Sequence, residues 1–301
     1  MFAPGAVRVA AVPTAWCNDD VAGLDVGATH ERVLSEMALA GYAGTELGGC
    51  HPDDPPALGR DLERRGLVAS GAALPTWFAS EGGTYERSLA TFRAKVPSWE
   101  ALGVRDVVVL ELTGAVHRQP VPVLANRPVF HDAQWTALVR GVGAMGRIAR
   151  AHGLRLHYRP QVGSVIQDND DVDRLMAATS PAEVSLLLDT GQITAGGGDA
   201  LRLAKDHADR IGLVHVSQVR EPVLVRLREA GLSFAEAIRE GLLTVPGDPD
   251  GMLDLEVVLA ALAGGGYQGW LAVDAPQDPA VVDPLESFRG ARAWLREVAG
   301  V

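Results

Sequence analysis

The chain has 301 residues, 47% hydrophobic and 22% charged, with a formal net charge of −11. That content can bury a sizeable core, which excludes a disordered or low-complexity protein, and the acidic balance speaks against nucleic acid or an anionic membrane surface as partner. No run approaches the roughly 18–20 unbroken apolar residues of a membrane span, and Met1 to Ala10 lacks the basic-then-apolar order of a signal peptide.

Cys17 and Cys50 are too few for a disulfide framework, and Cys17 reads as a small buried thiol. These features predict a cytoplasmic protein of a reducing compartment that handles a small molecule.

In chain order, eight short β-branched runs predict strands: Val7–Val12, Gly44–Leu47, Val68–Ala72, Val107–Leu112, Leu154–Tyr158, Val184–Leu188, Ile211–Val216 and Trp270–Val273. Most are apolar on both faces, as parallel strands covered on both sides are. Amphipathic stretches separate them: His30–Ala40, Pro56–Arg65, Tyr85–Leu102, Trp135–His152, Asp170–Ala178, Ala200–Ala208 and Leu255–Ala263. Gly41, Gly66, Gly103 and Gly153 close four of these just before the next strand.

This rhythm predicts an α/β protein, a single (β/α)8 barrel over residues 1–301, rather than an open doubly wound sheet. No G-x-G-x-x-G opens a helix, and the glycine run Gly196–Gly198 reads as a flexible loop. Residues 220–251 break the rhythm. They carry helical stretches at Pro222–Ala230 and Leu232–Leu242 and then Val245-Pro246-Gly247-Asp248-Pro249. An insertion at the C-terminal face of a barrel is where a lid belongs.

In such a barrel the chemistry sits at the strand ends, which here bear Glu46, Glu111, Arg159, Asp189, His215 and Asp274. Charges in a barrel mouth are costly unless paired or bound to metal, so their number predicts one shared pocket. His157 lies two residues before Arg159 and shares its strand face, one layer deeper. His157 and His215 are candidate acid–base groups, and Glu46 or Glu111 is the candidate base for a C–H next to a carbonyl. Trp16, Trp77 and Phe78 follow strands one and three and are candidate pocket walls. His51, His117, His131, His152 and His207 show no ligand spacing and read as surface.

Several longer motifs carry a family resemblance. They are Pro13-Thr14-Ala15-Trp16-Cys17-Asn18-Asp19-Asp20, Gly41-Tyr42-Ala43-Gly44-Thr45-Glu46-Leu47-Gly48, Glu111-Leu112-Thr113-Gly114, Val162-Gly163-Ser164-Val165-Ile166-Gln167, Leu188-Asp189-Thr190-Gly191 and Thr244-Val245-Pro246-Gly247-Asp248. In these the chain resembles the xylose-isomerase-like barrels of sugar isomerases, epimerases and dehydratases, and among them the inosose dehydratases, lyases that remove water from a keto-inositol. The resemblance implies a lyase or isomerase acting on a small polyhydroxy or keto compound by proton abstraction next to a carbonyl. It also implies pairing into a homo-oligomer and substrate-binding roles for Trp16, Asn18, Asp19, Trp77, Gln161, Gln192 and Gln218.

The resemblance further implies a divalent metal, Mn, Co or Mg, held from strands five to eight. The matching positions are Asp189 and His215, with Asp274 for a longer Glu; the strand-five position is Arg159, and guanidinium has no free lone pair. Two readings stay open. A metal binds through Asp189, His215, Asp274 and water, or no metal binds and Arg159 pairs with Asp189 or Asp274 and presents N–H donors in its place. The departures predict a diverged substrate in specialised metabolism. They also admit a non-catalytic binding protein or a metal-dependent sugar epimerase or isomerase on the same barrel.

Overall fold

A computed structural model of the chain describes residues 1–18, 20–21, 23–24 and 27–301. Its elements, in order, are β1 (Val7–Ala11), α1 (His30–Leu39), β2 (Gly44–Leu47), α2 (Pro55–Glu63), β3 (Val68–Thr76), α3 (Thr84–Ala101), β4 (Asp106–Glu111), α4 (Asp132–Ala151), β5 (Arg155–Tyr158), α5 (Asn169–Ala178), β6 (Ser185–Asp189), α6 (Thr190–Ala195), α7 (Ala200–Asp206), β7 (Ile211–Val216), β8 (Gln218–Val219), α8 (Glu221–Glu229), α9 (Phe234–Arg239), β9 (Leu243–Thr244), α10 (Leu255–Gly264), β10 (Gly269–Val273) and α11 (Pro284–Ala299). β1 pairs with both β2 and β10, closing a parallel barrel in the order β1-β10-β7-β6-β5-β4-β3-β2. The predicted (β/α)8 barrel is therefore the fold.

The two-faced apolar runs divide as parallel strands require. Val107, Val109, Leu156, Tyr158, Leu186 and Leu188 join the main core against the helices. Ala10, Val108, Leu187, Leu213 and Ala272 form a smaller cluster inside the barrel. The helices start where short polar side chains accept their first amides, as Thr29, Asp54, Asp199 and Asp283 do. Gly41, Gly66, Gly103 and Gly153 take positive φ at the turns into the strands, as expected of residues without a Cβ.

Three expectations are corrected. β3 runs on to Thr76, past Pro75, because the strand pairs β4 through to Thr76 opposite Glu111. Gly196–Gly198 is a packed turn, not a flexible loop: a Cβ on Gly196 would lie 2.3 Å from the Gln167 carbonyl oxygen. α6 and α11 have no counterpart among the helices read from the sequence; α6 is buried all round, so it shows no amphipathic period.

The insertion forms α8, α9 and the β8–β9 hairpin. Its Leu224, Leu227, Phe234 and Ile238 share a second apolar core with Val21, Val116, Val123 and Val162 from loops after β1, β4 and β5.

At the other end of the barrel, His157 is fully buried, with Nε2 2.7 Å from Asp106 Oδ1. Arg155 donates to the other oxygen of Asp106. Burial pushes the Asp106 carboxyl up, but the hydrogen bonds and charges of His157 and Arg155 outweigh it and hold it below its ordinary value. Its stabilising share is thus present above the ordinary pKa of 3.8 and is lost as pH falls through the lowered native value. Asp106→Asn is expected to cost about 3 kcal/mol at neutral pH. Denaturant unfolding at a series of pH values should show the gap to wild type narrowing below pH 3.8.

Candidate functional site

Asp189 ends β6, Glu46 and His215 are the penultimate residues of β2 and β7, and Arg159 and Asp274 directly follow β5 and β10. Period-two alternation turns all five inward, in register with the inner Leu187, Leu213 and Ala272. They meet. Arg159 Nε and Nη2 donate to Asp189 Oδ2 at 3.1 and 2.9 Å, and Nη2 also donates to Asp274 Oδ2 at 2.7 Å. His215 Nδ1 lies 3.3 Å from that same Asp274 oxygen, and Nε2 lies 3.0 Å from Glu46 Oε2. Thr14 donates to the other oxygen of Asp274 at 2.6 Å. Asp189 Oδ1 accepts the Gln192 amide and so caps α6.

The electrostatics follow from this packing. Burial opposes a charge on His215, but the Glu46 charge and the hydrogen bonds to Asp189, Asp274 and Glu46 raise its pKa well above the ordinary imidazole value. Burial would raise the Asp274 carboxyl, yet Arg159, His215 and Thr14 hold it below its usual range. Burial likewise opposes the charge on Arg159, which the carboxylates of Asp274, Asp189, Glu46 and Asp20 secure.

Beside the cluster lies a cavity of about 470 Å³, whose lining includes Glu46, Arg159, Thr14, Asp20, Leu110 and Arg118. Asp20 is held to about 2, where burial alone would raise it, by the hydrogen bond and charge of His117 and by the charges of Arg118 and Arg159.

Other site expectations fare differently. Glu111 does not reach the cavity. It shares the outward face of Val107 and Val109, while its neighbour Leu110 faces in. Its carboxylate accepts from Thr76, Thr113 and the amides of Phe78 and Ala79, so it braces the β3–α3 loop. Burial raises its pKa, and these bonds only partly offset that. His157 stays in the layer with Asp106, away from the mouth.

Trp16 is fully buried against Phe288 and donates to Glu36, which makes it core rather than pocket wall. Trp77 is exposed and lies outside the cavity lining. Asn18 accepts from the amides of Asp20 and Val21 and shapes its own loop, whereas Asp19 lies outside the described residues. The Gln192 carboxamide accepts the Val162 amide, and Gln218 bonds both the amide and the carbonyl of Leu253, fastening the insertion. Gln161 is different: its carboxamide is buried with no partner among the described residues.

Two histidines read as surface are not. His117 is buried against Phe234 of the insertion, with Nε2 3.3 Å from Asp20 Oδ1. His51 lines the cavity, and burial lowers its pKa to about 4. Neither sits in a motif; only the folding of loops from separate strands buries them.

Cys17, which lines the cavity, is disulfide-bonded to Cys50 with the Cα atoms 6.0 Å apart, rather than being a free buried thiol. The bond ties the loop after β1 to the loop after β2. Thiol titration of the unfolded protein should find no free thiol before reduction and two after it. Closing a segment with separation 33 predicts that reduction costs about 3–4 kcal/mol of stability on the chain-entropy estimate.

Asp189, His215 and Asp274 bring ligand-type atoms within 4.8 Å of one another, the spacing of a metal site. Two features of the arrangement do not fit a cation. The carboxylate oxygens turned toward the cluster already accept from Arg159. His215 faces a carboxylate with each ring nitrogen, which only the doubly protonated ring satisfies, and that ring has no lone pair to give. A divalent ion about 4 Å from a guanidinium would also be repelled by about 8 kcal/mol at an effective dielectric constant of about 20.

A family model described as xylose isomerase-like TIM barrel matches residues 34–298. The chain is 36% identical to an inosose dehydratase of Geobacillus thermodenitrificans (strain NG80-2), over 100% of both chains. Among solved structures, the probable 3-DHS dehydratase AsbF of Bacillus anthracis superposes with a TM-score of 0.73 at 10% identity, over 96% of this chain and 98% of that one. An IolI protein with a bound zinc atom superposes at 0.71 and 14% identity, over 97% and 98%. At such identities the two structures speak to the fold alone.

Proposed function

Because the chain belongs to the xylose isomerase-like TIM barrel family, we propose that it is a lyase that removes water from a small cyclic polyhydroxy ketone, an inosose or a near relative. The observation that carries this reading is Glu46, paired with a buried His215 and lining a cavity that a guanidinium also lines. Such a set suits abstraction of a proton next to a carbonyl: a carboxylate takes the proton and a fixed cation faces the oxygen that gains charge.

In this reading Glu46 accepts the proton from the carbon beside the ketone. Electron density moves to the ketone oxygen, opposite Arg159. The C–O bond of the neighbouring hydroxyl then breaks, a carbon–carbon double bond forms, and the proton on Glu46 leaves with the hydroxyl as water. His215, under Glu46, steadies the carboxylate between turns. The cavity lies within the range of small-ligand sites, and residues 220–251 serve as the cover that excludes water.

A second reading, a metal-dependent sugar epimerase or isomerase, is favoured by the 4.8 Å spacing of Asp189, His215 and Asp274 and opposed by the placement of Arg159. No helix among the described residues is long and apolar enough to cross a membrane.

Incubation with an inosose in heavy water tests the proposal. Deuterium should enter the carbon next to the ketone, and an unsaturated ketone should accumulate. Tight binding of the ketone with neither exchange nor product would make the chain a binding protein and end the dehydratase reading.

A further inference from the structure

We infer that the Arg159 guanidinium occupies the cation position of the Asp189–His215–Asp274 cluster, so that this chain takes no divalent metal there and polarises the ketone with an N–H donor instead. The polarising half rests on the dehydratase reading above; the occupancy half does not.

The geometry supports occupancy directly. The three side chains come from the C-terminal ends of three different strands, one of them just past its strand, and their ligand-type atoms converge within 4.8 Å, as they would around an ion. Nη2 sits against the two carboxylates of that convergence, 2.9 Å from Asp189 and 2.7 Å from Asp274. One nitrogen thus binds a carboxylate on each side, and Nε doubles the contact to Asp189. An arginine on a solvated rim would be free to swing away. This one is only 11% exposed at its side chain, so its two partners fix it.

The donor count supports the polarising role. A guanidinium carries five N–H bonds, and Nε and Nη2 spend theirs on the two carboxylates. Nη1 has no hydrogen-bond partner among the described residues, and Arg159 lines the cavity. A delocalised positive charge with unspent donors, anchored on its far side, is an oxyanion stabiliser that needs no ion.

The test is cobalt(II) binding to chelator-treated protein, read by visible ligand-field absorption and by cobalt content after dialysis. Neither readout needs a substrate. Wild type should show no ligand-field band and retain no stoichiometric cobalt. Arg159→Ala should bind one ion with at least a tenfold gain in affinity, and Arg159→His, which adds a nitrogen ligand, should bind more tightly still. Asp189→Asn in the Arg159→His background should abolish the gain, which places the ion in this cluster. Circular dichroism confirms that each variant is folded, and the histidine variant decides the matter if the alanine variant is not.

Stoichiometric cobalt in wild type, or no gain in a folded Arg159 variant, overturns the inference. A parallel assay with an inosose should show wild-type turnover unchanged by chelator; loss on chelation with recovery on adding cobalt overturns it equally. If no inosose is turned over at all, the dehydratase reading fails, and the cobalt arms still decide the occupancy of the cluster.

Discussion

Glu46→Gln is expected to lower kcat for inosose dehydration by about 10³–10⁴-fold, the upper part of the range for a positioned general base, with KM changed only a few-fold. Glutamine keeps the size of the side chain and can still accept from His215 Nε2, where the carboxylate sits at 3.0 Å. It cannot take a proton from carbon. Stability should fall as well, because the amide oxygen keeps the contact to His215 but not the charge that offsets the buried imidazolium. Glu111→Gln should instead lose stability with little change in kcat.

The Glu111 carboxylate accepts from two hydroxyls and two backbone amides, and an amide NH2 set among those donors leaves polar groups unpaired, at about 1–3 kcal/mol. Its kcat should stay within about tenfold of wild type, since Glu111 is held away from the cavity. Paired kcat and denaturant midpoints thus separate two carboxylates that look alike in sequence. Retention of wild-type turnover by Glu46→Gln would remove Glu46 from the mechanism.

Asp189→Ala should be the most destabilising single change at the site. One oxygen of Asp189 caps α6 through the Gln192 amide, and the other binds Arg159. Losing a cap costs about 1 kcal/mol. Leaving a buried cation short of a partner costs about 3–5 kcal/mol. Asp189→Asn can keep the cap while losing the charge, so the difference between the two variants in urea unfolding reads out the cap alone and should be about 1 kcal/mol. Equal losses would mean that α6 does not depend on this cap. A loss below about 1 kcal/mol for Asp189→Ala would contradict the tight ion pairing on which the site is built.

Much of the site is legible in the sequence. Glu46, Arg159, Asp189, His215 and Asp274 each end an apolar run, and the closed barrel gathers such ends at one mouth. Glu111 obeyed the same rule and still fell outside. The inner and outer faces of β4 are written in one repeated residue, Val107-Val108-Val109, so the period-two signal that would have assigned its face was silent. The tryptophans misled for a related reason. An aromatic after a strand serves equally as pocket wall or as core, and the packing of Phe288 from α11 against Trp16 chose core. α11 itself escaped the sequence reading although Phe288, Ala291, Leu295 and Ala299 bury one face of it at helical spacing.

Local sequence held enough information for the barrel and its strand ends, which follow from residue type and spacing acting over a few neighbours. The anomaly of an arginine among would-be metal ligands came from the family resemblance. Contacts across large separations remained open: the disulfide between Cys17 and Cys50, the burial of His117 beneath Phe234, and the grip of Arg159 on Asp189 and Asp274 at once. Each joins loops or strands far apart in the chain, and such partners are set when the sheet closes and the insertion packs down, not by any local preference.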